Sequence, residues 1–296
     1  MEYTGELAGL ATAVCWTATA MSFQFATRRI GSVSVNLIRL VFAFLFYVAY
    51  TKIFMGQWLP FDAPVKAWVY LSISGVIGFV LGDFFLFKSY EFISSKISML
   101  IMTMAPPTAA ILGWFMMGET FSIMNVVGMM LVIVGVSLVI LKKDVEGGIK
   151  KSRYSFKGIL FAFGGAIGQG VGAVFSKVGM GNYDPFASSQ IRVISGIIGF
   201  AVLITILKRW GGVVRGIKDR KASKALVLGS FFGPFLGVSL GMIAFKFTSV
   251  GIASTLMATV PVFILLPSHL IFKEKLTINE VFGAFIAVAG IAVFFI

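Results

Sequence analysis

The chain has 296 residues, of which 58% are hydrophobic and 12% charged, with a mean hydropathy of +0.96 and a net charge of +13. Soluble domains carry about 25% charged residues, so this much apolar surface requires lipid as its solvent, and a water-soluble class is excluded. One Cys and one His exclude an internal disulfide and a Cys/His metal cluster, and no cofactor or metal is expected.

Ten apolar stretches are predicted, at about 5–27, 34–54, 66–88, 93–117, 122–141, 156–176, 186–207, 224–246, 249–272 and 277–296. Each approaches the ~20 residues that cross a bilayer as a helix. The N-terminal MEYTGE is acidic where a signal peptide would be basic, so the first stretch is expected to be a retained helix. Gln24 lies towards the end of span one. Arg39 lies inside span two, with Asn36 three residues before it. Span three holds Gly78, Gly82 and Asp83, and Tyr90 follows. Span four holds Thr103 and the pair Pro106–Pro107, and Glu119 closes it. Gln169 sits in span six, Arg192 in span seven with Ser189 before it, and Gly233, Gly237 and Gly241 in span eight. Thr255, Thr259, Pro261, His269 and Glu274 follow in and after span nine.

The second half repeats the first. Moving 155 positions along takes Gly78 to Gly233, Gly82 to Gly237, Pro106 to Pro261, Glu119 to Glu274, Gly128 to Gly283 and Gly135 to Gly290. With a small change of register, Arg39 falls on Arg192, Gly9 on Gly158 and Arg28 on Lys177. The units read as 1–141 and 158–296, joined by a basic linker at 142–157. Five spans per unit is odd, so the second unit enters the membrane upside down. The expected fold class is an all-α membrane protein of ten transmembrane helices, arranged as two inverted five-helix repeats. Carriers are built this way, with the substrate site between the repeats.

The basic residues lie between the spans and not along a nucleic-acid-binding face. Nineteen of the 25 Lys and Arg follow odd-numbered spans; four, Lys52, Lys66, Lys177 and Lys246, follow even-numbered ones. The positive-inside rule then puts the richer side in the cytoplasm and both termini outside.

Asp83 is the most informative single residue, because a carboxylate within a span marks a pathway, a proton relay or a paired cation. Its repeat partner is Val238, so it is not part of the shared pattern. Arg39 and Arg192 either line a cavity and attract an anion, or snorkel, or pair with Asp83 or a Glu. Gln24, Gln169, Thr103, Thr255 and Thr259 either orient a ligand or join helices by hydrogen bonds. Glycines four apart on spans three and eight provide either fixed packing or a sliding contact. The mid-span prolines kink their helices, and Glu119 and Glu274 read as turn fixtures facing the next helix. GQGVGA at 168–173 mimics a dinucleotide fingerprint but has no preceding strand. Trp16 and Trp114 face either a cavity or lipid.

Over the whole chain the two repeats, and the paired runs 99–140 and 255–296 with a mid-helix Pro, a terminal Glu and a Gly-rich next helix, resemble the EamA-type carriers of the drug/metabolite transporter superfamily. The resemblance implies secondary transport of a small organic metabolite, amino-acid-like or related, often by export. It implies a central cavity lined by spans one, three, four, six, eight and nine, and no catalytic residues. It also implies cytoplasmic termini, against the charge count. The substrate-binding residues expected are Asp83, Arg39, Arg192, Gln24, Gln169, Tyr90, Thr103 and Thr259, with Asp83 taking an amine or a proton. The alternative is a membrane assembly partner or flippase accessory without a soluble substrate. The partners expected are a small molecule, proton coupling if Asp83 carries a proton, and the bilayer; the chain is expected as a monomer, multi-pass in the cell membrane.

Overall fold

The computed structural model describes residues 3–89, 92–93, 98, 101–140, 155–263, 265 and 278–293, and all its described elements are helical. In order they are α1 (Thr4–Ile30), α2 (Ser32–Met55), α3 (Val65–Ser89), α4 (Ala105–Met117), α5 (Ile123–Ile140), α6 (Phe156–Met180), α7 (Pro185–Ile206), α8 (Trp210–Lys218), α9 (Arg220–Phe247), α10 (Val250–Phe263) and α11 (Ile278–Val293). Five of them, α2, α3, α6, α7 and α9, are long and apolar enough to cross a membrane. The expectation of ten full spans therefore holds in part among the described residues. The ninth is divided: Ala258 and Thr259 form a turn just before Pro261. The fourth has the equivalent turn at Thr103 and Met104, before Pro106. Proline lacks the N–H for the preceding turn and its ring crowds that turn's carbonyl, so the helix breaks there rather than merely bending. His269 and Glu274 lie outside the described residues.

The packing of α5 on α11 displays the repeat. A Cβ on Gly135 would stand 2.4 Å from the Ala287 nitrogen and 2.6 Å from the Gly283 oxygen. One on Gly290 would stand 2.8 Å from the Val132 nitrogen and 2.9 Å from the Gly128 oxygen. Gly128 and Gly135 are the repeat partners of Gly283 and Gly290, so the contact is reciprocal, as a two-fold axis requires. Moving up one helix moves down the other, so the two run antiparallel. Equivalent helices of opposite direction require an axis lying across the helices. The remaining packing obeys the same relation: α3 lies on α6 as α9 lies on α1, and α2 lies on α7.

The helix ends separate into two groups. Arg29 donates to Asp219 at 2.9 Å, and Phe87, Lys88 and Arg209 line one small cavity, so the joints after α1, α3 and α7 share one end. Asp219 also caps α9, accepting from the Lys221 and Ala222 N–H groups. The Ala222 N–H, then Arg29, hold its carboxyl below the ordinary carboxylate range. At the other end Asp62 accepts from Tyr183 at 2.7 Å, and Lys246 donates to the Asn182 oxygen. The extra helix α8 presents Trp210, Val214 and Ile217 outward beside Arg215 and Lys218, an arrangement suited to the lipid–water interface.

Gly135→Ala is expected to lower the melting temperature by several degrees, because overpacking costs about 1–3 kcal/mol. Gly211→Ala, whose Cβ would meet nothing within 4 Å, serves as the control in the same thermal melt. Equal melting of both variants would contradict the close contact.

Candidate functional site

Asp83 follows a π-helical stretch, Gly75–Gly82, in the middle of α3. A second π stretch, Phe231–Gly237, occupies the repeat-equivalent place in α9. Wide turns of this kind recur at functional sites. The Asp83 N–H bonds back to the Gly78 oxygen, five residues earlier. The Gly78 oxygen also accepts from Gln169 Nε2 at 3.2 Å.

Gln169 comes within reach because α3 and α6 meet through glycines. A Cβ on Gly168 would stand 2.9 Å from the Gly82 Cα, and one on Gly172 3.0 Å from the Gly78 Cα. Ser74 and Ser176 share a 2.7 Å hydrogen bond along the same seam. The glycines of GQGVGA are thus packing residues. On α9 the equivalents differ: Gly233 accommodates Thr19 and Gly237 accommodates Trp16, so side chains from α1 fill the groove.

At this seam a buried polar cluster forms. Arg39 Nη2 donates to Asp83 Oδ2 in an ion pair, and Gln169 Nε2 donates to Asp83 Oδ1 at 2.8 Å. Asp83 is 7% exposed and Arg39 8%. The Arg39 guanidinium lies 5.5 Å from the Phe23 ring centre and 5.8 Å from that of Phe87. Removing two ions from water costs more than a bare pair returns, so the amide on Oδ1 matters to the balance.

Arg192 is equally buried, at 7% exposure, and differently surrounded. Its guanidinium lies 4.7 Å from the Phe79 ring centre, Nη1 lies 3.7 Å from the Met242 sulfur, and Nε has no hydrogen-bond partner among the described residues. Gly75 lets α3 reach it: a Cβ there would stand 2.4 Å from the Arg192 carbonyl oxygen.

The other expected site residues are more scattered. Thr103 and Thr259 are buried in the turns that divide the fourth and ninth spans. Thr259 Oγ1 donates to the Leu256 oxygen at 2.6 Å, within its own helix, as Thr255 does to Gly251. The Gln24 side chain and the whole of Tyr90 lie outside the described residues. Trp114 is exposed on the outer surface, whereas Trp16 is packed inside.

Glu119 departs from the sequence reading. Its carboxylate does not serve the helix that follows. It accepts from the Val250 N–H at 3.0 and 3.1 Å, capping α10, and from Lys177 Nζ at 2.8 Å. It ties together the ends of α4, α6 and α10. Sequence distance hid this contact, since 131 residues separate Glu119 from Val250.

Sequence reasoning also missed Tyr47. Its hydroxyl lies 2.8 Å from the Pro234 oxygen, 2.9 Å from the Phe235 oxygen and 2.9 Å from Ser239 Oγ. It therefore supplies a partner for carbonyls of the second π stretch. Pro234, a proline within span eight, was the available signal. Between the Arg39 pair and the end of the bundle lies a cavity of about 120 Å³, bounded by Asn36, Phe84, Phe87, Lys88 and Arg209.

The profile of the EamA-like transporter family matches residues 3–141 and again 156–296. The chain belongs to the EamA-like transporter family. It is an integral membrane protein of two repeats, and members of this family are transporters rather than enzymes. A solved structure described only as the crystal structure of a protein has the same fold, with a TM-score of 0.76 and 16% identity, covering 99% of this chain and 96% of that one. No curated protein matches the sequence.

Arg39→Met is expected to destabilise this EamA-family chain by about 3–5 kcal/mol, because it strands the Asp83 charge in a buried site. Adding Asp83→Asn should recover most of the loss, since no charge is then left without a partner. The check is a double-mutant cycle in thermal or denaturant melts. Additive losses would mean that the two side chains are not coupled.

Proposed function

We propose that this EamA-family chain is a secondary carrier that moves a small organic metabolite, amino-acid-like or related, across the cell membrane by alternating access, in the direction of export. The observation that carries the reading is the position of the charged cluster. Arg39, Asp83 and Arg192 are buried where α2, α3 and α7 meet, between two inverted repeats. Inverted repeats supply two conformations of similar energy, each the mirror in role of the other, and rocking one repeat against the other exposes a midplane site to either side.

Several local features support the motion. The turns before Pro106 and Pro261 are hinges at equivalent places, and the π stretches lie at the repeat interface. On one side Phe87 stands between the small cavity and the Arg39–Asp83 pair. Asp83 takes a proton or a substrate amine in exchange for its bond to Arg39, and Gln169 and the threonines of the divided helices orient the cargo.

The test is solute exchange by the purified chain in liposomes. Labelled amino acids, amines, nucleosides and organic acids are loaded inside and counterflow is followed, with an imposed pH gradient in a parallel series. Wild type should exchange at least one class. Asp83→Asn should lose proton-driven accumulation and keep passive exchange. Full proton-driven transport by that variant would remove Asp83 as the coupling group, and no exchange of any class would favour an accessory role.

The basic end, with α8 lying on anionic lipid, is assigned to the cytoplasm. In a Cys15→Ala background, Arg215→Cys in intact cells should resist a membrane-impermeant maleimide and react after permeabilisation. Labelling of intact cells would reverse the assignment.

A further inference from the structure

The buried arginines Arg39 and Arg192 are repeat partners, yet among the described residues only Arg39 makes an ion pair. Arg39 lies beside Phe87 and pairs with Asp83, four residues earlier on the same face of α3. Arg192 lies beside Met242, which is the repeat partner of Phe87. Four residues before Met242 on α9 stands Val238, the repeat partner of Asp83. Each arginine therefore answers to an equivalent pair of positions four residues apart, on α3 or on α9, and in the second pair the carboxylate is missing. Val238 is itself buried, at 8% exposure, within the cluster that also holds Phe79 and Val193.

The consequences for Arg192 are chemical. A guanidinium presents five N–H donors. Among the described residues no carboxylate lies within 4 Å of it, the one acceptor it meets is a thioether sulfur, and its Nε, like that of Arg39, has no hydrogen-bond partner. A thioether is a weak acceptor, and a buried cation without a counterion is costly. The charges of Arg39, Asp83 and Arg192 add to one surplus positive charge, which matches one monoanion. Gly78 leaves room beside Nη2, since a Cβ there would approach it to 3.5 Å.

We propose that Arg192 is the anion-binding residue of the transport site, and that the carboxylate of a singly charged small molecule pairs with it as Asp83 pairs with Arg39. The ligand completes the broken symmetry of the two repeats. This deepens the carrier reading, and rests on it only in treating the bound anion as cargo. Guanidinium and carboxylate match in a two-bonded fork, so a carboxylate is favoured over a halide. The single surplus charge favours it over a phosphate dianion.

The experiment uses the purified full chain and two isosteric probe pairs, acetate with acetamide and benzoate with benzamide, with inorganic phosphate as a third anion. Binding is read as a saturable rise in melting temperature and by calorimetric titration. Wild type should bind the carboxylates at least tenfold more tightly than the amides or phosphate. Arg192→Met should lose that preference. Val238→Asp supplies an internal carboxylate: it should fold at least as stably as Val238→Asn and bind the carboxylates at least tenfold more weakly than wild type. Val238→Asn has the same shape without the charge and should keep the preference.

Equal binding of carboxylate and amide by wild type overturns the proposal, as does undiminished carboxylate binding by Val238→Asp, or no saturable carboxylate binding at all. Exchange in liposomes separates the two readings. Loss of the carboxylate preference with exchange of a neutral or cationic solute intact removes the Arg192 assignment and leaves the carrier. Carboxylate binding without exchange of any solute leaves the Arg192 site and removes the carrier.

Discussion

The close approach of α3 to α6 is the contact on which the interior depends. Gly78 and Gly82 on one helix, and Gly168 and Gly172 on the other, bring the two backbones within reach of each other's polar groups. Only that separation lets Gln169 bridge the Gly78 carbonyl and the Asp83 carboxylate. In lipid there is no water to take over either bond. A side chain larger than hydrogen at Gly168 or Gly172 would meet the α3 backbone at 2.9 and 3.0 Å, part the helices and leave the π turn, the amide and the carboxylate unsatisfied together. Packing and polar satisfaction are one constraint here, and the Arg39–Asp83 pair is built on it.

The two repeats share a frame and differ in what fills it. The reciprocal glycine contact of α5 with α11, the paired π stretches and the paired breaks before Pro106 and Pro261 all obey the two-fold relation. The fillings do not. One π stretch lies against glycines of α6, the other against Thr19, Trp16 and Tyr47. One buried arginine has an acid and the other a valine in the same place. A frame with near-equal alternative arrangements allows two states, and an asymmetric filling gives the interior a chemical direction. A site made only of symmetric residues would have to treat the two ends alike.

Much of this was legible in the sequence. Apolar stretches of crossing length, a repeat in register over more than sixty residues and an odd number of spans per unit led to an inverted architecture, because each is a property of the chain read locally or against itself. Asp83 stood out because a carboxylate in a span has few cheap explanations, and pairing with Arg39 was among them. The length of the spans was less legible. Pro106 and Pro261 signalled a kink, but a full break by two-residue turns depends on how the neighbouring helices take up the freed carbonyls. Glu119 was misread for a related reason. A carboxylate at a turn has a helix N-terminus close by in sequence, and the one it caps, at Val250, is close only in space.

By itself, then, the sequence determined the solvent, the repeat, its inversion and the identities of the three buried charges, since these follow from composition and self-similarity. The tertiary structure alone decided the partners. Asp83 could have met Arg39, Arg192 or neither, and helix rotation about each axis, set by where glycines permit contact, put Arg39 and Gln169 on its two oxygens. The same rotations left Arg192 between an aromatic face and a thioether, with a valine, Val238, at the repeat equivalent of Asp83.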